Sequence, residues 1–77
     1  MLFGIMAHDK DGNESIEAVI RAARKAYVER FGEQPLAAEV NPMYQVKEVD
    51  GLPVRQRKSV RPHHAIVGVE LTKEGMK

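Results

Sequence analysis

The chain has 77 residues, a formal net charge of +1 and no cysteine. A chain this short forms one domain with a thin core, burying only about 60% of the surface its unfolded form exposes, and the lack of cysteine excludes a disulfide framework and favours a reducing, cytoplasmic setting. The near-neutral charge gives no overall pull toward nucleic acid or membrane, so any such partner must meet a local patch.

No apolar run approaches the roughly 20 residues of a membrane span, and the start, MLFGIMAHDK, lacks a basic leader and a long apolar stretch. No repeat, low-complexity segment or linker divides residues 1–77. They read as a single domain, with 72–77 a frayed tail that has nothing to bury.

Residues 2–7, LFGIMA, form a short apolar run that ends in the polar cluster His8-Asp9-Lys10-Asp11-Gly12-Asn13. This predicts a strand followed by a loop, and a strand without alternation is normally central and covered on both faces. From Ser15 to Phe31, Ile16, Val19, Ile20, Ala23, Tyr27 and Phe31 recur at helical spacing, while Glu17, Arg21, Arg24, Lys25 and Glu29 take the other side. Ser15 or Asn13 suits the N-cap and Gly32 the C-cap. The pairs Glu17–Arg21 and Lys25–Glu29 are four residues apart and of opposite charge, each adding a few tenths of a kcal/mol to a solvated face.

Leu36, Ala38 and Val40 alternate and predict a second strand, parallel to the first through a right-handed crossover. Asn41 to Gly51 fits two readings. Asn41-Pro42 with Gly51 fits a short two-turn helix, and Asp50-Gly51 between Val49 and Leu52 fits a hairpin turn. The hairpin would set Lys47 opposite Val54 on the core side, which favours the short helix. Leu52 to Arg57 predicts a strand with Leu52 and Val54 inward and Arg55 and Arg57 outward. His63 to Leu71 predicts the last, with Ala65, Val67, Val69 and Leu71 facing the helix. The fold class is therefore α+β: one long amphipathic helix on a mixed sheet of about four strands, in the order β-α-β-(short helix or strand)-β-β. One helix covers one side of such a sheet, so Ile66 on the other side needs a cover. Either residues 42–49 fold over it or a second copy does, and a homodimer is expected.

Two groups of residues are chemically suggestive. His8, Asp9, Asn41, His63 and His64 all fall at one edge of the predicted sheet, near the N-terminus of the helix. Imidazoles with Asp9 can hold a transition metal or act as acid and base, with Asn41 orienting a substrate. Adjacent strand residues point to opposite faces, however, so His63 and His64 cannot share a pocket without a bulge. Asp9 to Asn13 falls short of an EF-hand calcium loop, because its sixth position is Glu14 and its twelfth Ile20. The second group is Arg55-Gln56-Arg57-Lys58-Ser59-Val60-Arg61, with four basic residues in seven. In this run Arg55, Arg57, Lys58 and Arg61 form a ribbon that can lie along phosphates, unless Glu39 and Glu70 pair with it or it serves only to protect a sheet edge. No aromatic residue interleaves with it, so a base-stacking platform is unsupported. The functional expectation is a small non-enzymatic interaction module, using this ribbon to contact a nucleic acid or a protein, with no cofactor. The alternative is a small metal-dependent or acid–base enzyme built on the histidine cluster.

Overall fold

A computed structural model describes residues 2–9, 12 and 14–70, with the side chain of Glu70 excepted. Its elements are β1 (Leu2–His8), α1 (Ile16–Phe31), β2 (Ala37–Val40), β3 (Glu48–Val49), β4 (Leu52–Gln56) and β5 (His64–Glu70). They form an α+β fold with one helix against a mixed five-stranded sheet of order β1-β5-β2-β4-β3. The expected frayed tail and Leu71 lie outside the described residues.

The helix forms where its pattern predicts. Ser15 accepts a hydrogen bond from the Ala18 N–H through Oγ, at 3.2 Å, and Gly32 closes the last turn with its N–H on Val28 O at 2.8 Å. Ile16, Val19, Ile20, Ala23 and Tyr27 are buried against Ala38, Val40, Val54, Ala65 and Val67 of the sheet. Each fully buried aliphatic side chain stabilises the fold by about 1.5–3 kcal/mol. Phe31 departs from the expected apolar stripe: it is largely exposed and rests its ring on Tyr27, with centroids 4.6 Å apart.

Three expectations are corrected. First, β1 is an edge strand. The centre belongs to β5, which pairs antiparallel with both β1 and β2, so β1 and β2 run the same way with β5 between them. The unbroken apolar run in β1 does not mark burial on both sides, because Phe3 is 57% and Met6 54% exposed. Only Ile5 and Ala7 of its helix-facing side pack on the core. Second, Leu36 precedes β2 and is exposed rather than facing the helix.

Third, residues 42–51 contain a hairpin and no helix. Asp50 and Gly51 take φ of 51° and 84°, the left-handed pair of a type I′ turn, and Val49 faces Leu52. The paired ladder ends at Glu48–Pro53, and the objection from Lys47 fails because its side chain does not enter the core. Lys47 still accepts from the Val54 N–H through its carbonyl, at 2.9 Å, but its side chain is exposed. Tyr44 and Val46 of this segment pack on the helix-side core, so it does not cover Ile66.

The hairpin turn also recruits the outer face of the helix. Arg21 Nε donates to Asp50 Oδ2 at 2.8 Å, Arg24 donates to Asp50 O at 3.2 Å, and Arg24 Nε donates to Gln34 Oε1 at 2.9 Å. Arg21 thus reaches across to the turn 29 residues away, with Glu17 only a minor electrostatic influence on it. The hydrogen bond from Arg21, and then its charge, hold the Asp50 carboxyl below its ordinary range. A lowered folded-state pKa stabilises above the unfolded value of about 3.9 and ceases to do so as pH falls through the folded one. Asp50→Asn keeps a residue that tolerates positive φ, so it removes the charge alone. Urea midpoints of the two proteins should differ at pH 7, with wild type higher, and converge below about pH 4. An equal separation at both pH values would assign the difference to something other than this pair.

Candidate functional site on the open sheet face

Register assigns the residues of the sheet to two faces. Ile5, Ala7, Ala38, Val40, Val54, Ala65 and Val67 face the helix. Met6 and His8 of β1, His64 and Ile66 of β5, Glu39 of β2 and Arg55 of β4 share the other face. Among the described residues no element is stacked on this open face. Ile66, flanked across the strands by Met6 and Glu39, is only half-buried.

Glu39 is the centre of this face. Its side chain is 4% exposed and receives Arg57 Nε on both carboxylate oxygens at 3.2 Å, with Arg55 at 3.8 Å. A carboxylate this deep requires such partners, because an unpaired buried charge is strongly destabilising. The two arginines remain 40% and 44% exposed. Beyond them the chain turns at Arg57–Val60, where the Val60 N–H donates to Arg57 O at 3.1 Å. Asn41 Nδ2 donates to Val60 O at 2.9 Å, holding this turn to the end of β2, and Lys58 and Arg61 stand exposed on it. Of the four basic residues expected to form a ribbon, Arg55 and Arg57 lie against Glu39, which offsets one of their charges, and Lys58 and Arg61 are exposed. β3 pairs only with Leu52 and Pro53, so beyond them the basic end of β4 borders β2 alone among the described strands.

The histidines separate. His8 and His64 are register partners, and their rings stack with centroids 4.1 Å apart and planes at 13°. His63 sits just before β5 at φ 65°, donates its N–H to Tyr44 Oη at 2.9 Å and lies beside Gly12. Its left-handed backbone takes it out of the strand, so it does not join the His8–His64 pair. Asp9 Oδ2 accepts the Glu14 N–H at 2.7 Å. Asn41 Oδ1 accepts the Met43 N–H at 3.0 Å, so its amide serves the loops. Among the described residues no group of three or more His, Cys, Asp or Glu can hold a metal ion. Two surface grooves, of ≈ 400 Å³ along Arg21, Arg24 and Gln34 and of ≈ 410 Å³ along Pro42, Lys47 and Gln56, lie elsewhere.

Fold and surface together define a small α+β domain with a single-layered helix and a mixed-charge open sheet face. No family model, no curated protein and no solved structure matches this chain. No helix among the described residues is long and apolar enough to cross a membrane.

Proposed function

We propose that this protein is a non-enzymatic cytoplasmic module that binds nucleic acid through the phosphate backbone, using Arg57, Lys58 and Arg61 with the adjoining open face of the sheet. One observation carries this reading: the buried Glu39 anchors the Arg57 guanidinium at the start of a turn on which Lys58 and Arg61 stand exposed. A cation held by a fixed carboxylate loses little side-chain freedom on meeting a phosphate, and charge complementarity favours a polyanion. Such binding is sequence-tolerant, because phosphate contacts position a protein without reading bases.

With about three phosphate contacts, affinity for a single or double strand should fall about 20- to 40-fold between 50 and 200 mM salt. Lys58→Ala with Arg61→Ala leaves the Glu39–Arg57 pair intact and should remove most of both the affinity and the salt slope. Fluorescence anisotropy with a labelled oligonucleotide measures both. Binding that ignores salt, or survives in the double variant, would sink this reading. A salt-insensitive homodimer by sedimentation, with no oligonucleotide bound, would assign Met6, Ile66 and the open face to a second copy instead.

A further inference from the structure

We propose that His8 and His64 form a two-histidine site for a borderline divalent transition-metal ion such as Zn²⁺, Ni²⁺ or Cu²⁺. The proposal is independent of nucleic-acid binding. The two residues face each other across the β1–β5 ladder on the open side of the sheet, so no folding rearrangement is needed to bring them together. Opposed residues in an antiparallel ladder have Cβ atoms about 4.5–5.5 Å apart, and the two rings lie nearly parallel at 4.1 Å. Two imidazole nitrogens on one tetrahedral ion, each about 2.0–2.1 Å from it, are separated by about 3.3 Å. Stacked rings aim their in-plane lone pairs along parallel lines. With His64 held at Pro62 O, the exposed His8 ring must therefore leave the stack, turning about its broad Cβ–Cγ torsion, to aim a nitrogen at the same ion.

The tautomer of His64 suits the role. Its Nδ1 lies 2.9 Å from Pro62 O, and a carbonyl oxygen only accepts, so Nδ1 carries the proton and Nε2 keeps the lone pair of the neutral ring. A ligating histidine is normally oriented in this way, through its other nitrogen on a carbonyl or carboxylate. His63, although adjacent in sequence, is excluded because its backbone turns it toward Gly12 and Tyr44. With no third protein ligand among the described residues, water completes the coordination shell and the ion exchanges freely. All-nitrogen donors select Cu²⁺ over Ni²⁺ and Zn²⁺ and reject Mg²⁺ and Ca²⁺.

Calorimetric titration of the tag-free protein with each ion, without nucleic acid, tests this. Saturable binding near one ion per chain is expected, with Cu²⁺ tightest and Mg²⁺ silent. His8→Ala and His64→Ala should each weaken it at least tenfold, and His63→Ala should leave it unchanged. His8→Phe retains a ring over His64 but removes the donor nitrogen, so loss of binding in a variant that melts like wild type separates ligation from packing. No saturable binding, equal binding by His8→Phe, or a loss in His63→Ala as large as in His8→Ala would overturn the site.

Discussion

Gly68→Ala should lower stability by about 3 kcal/mol, the upper end of what overpacking costs. Gly68 and Gly4 face each other across the β1–β5 ladder, and the two backbones approach closely there. A Cβ on Gly68 would overlap the carbonyl oxygen of Phe3 and stand 2.6 Å from its carbon, and one on Gly4 would meet the Val67 carbonyl in the same way. Backbone atoms cannot swing aside as a side chain does, so β1 must separate from β5 or the strands must bend. For a domain of this size a loss of about 3 kcal/mol lowers Tm by about 12–24 °C. Gly51→Ala is the control. At φ 84° it is strained, but nothing lies within 4 Å of its new Cβ, so it should cost about 1–2 kcal/mol. Thermal melts of the two variants that differ by less than a few degrees would show that the strands relax around the added methyl.

The second large effect should be asymmetric. Arg57→Ala leaves the Glu39 carboxylate, almost without exposure, with Arg55 at 3.8 Å as its remaining cation among the described residues, and should cost about 2–4 kcal/mol because a buried charge loses its hydrogen-bonded partner. Glu39→Gln strands no such charge, since both arginines already reach solvent, and should cost about 1 kcal/mol. The double variant should be more stable than Arg57→Ala alone, because the buried charge has gone. Denaturant midpoints of the three proteins measure this. Equal losses in the two single variants would mean that Glu39 is better hydrated than its burial implies. Glu39→Gln also releases the Arg57 guanidinium from its anchor, so on the proposed function it should weaken oligonucleotide binding although it raises the local positive charge. Attraction to net charge alone predicts the opposite sign.

Periodicity made α1 legible to within a residue, because one face of a helix is buried by residues close in sequence and its caps are local. The alternation in β5 was legible for the same reason: Ala65 and Val67 lie in the core while Ile66 does not. The place of β1 was not legible, since an apolar run looks the same whether two neighbours cover it or one does. The choice between hairpin and helix at 42–51 turned on how far the ladder extends. Paired residues end at Glu48 with a single further hydrogen bond to the Lys47 carbonyl, a length that the local sequence does not specify.

The candidate site divides in the same way. The ribbon from Arg55 to Arg61 was legible as charge, and the histidines as polar residues gathered at strand ends. Which of them meet was a matter of register and of one backbone angle: pairing sets His8 on His64, and a left-handed φ at His63 turns that residue away. The burial of Glu39 was invisible in a segment where it reads as the polar member of an alternating strand. By itself the sequence determined the class of fold, the helix and the positions of its charges, because these follow from spacing within single elements. Tertiary structure alone decided which charges are paired, that Asp50 answers to Arg21 and Glu39 to Arg57, because those partners are brought together only when strands distant in the chain are laid side by side.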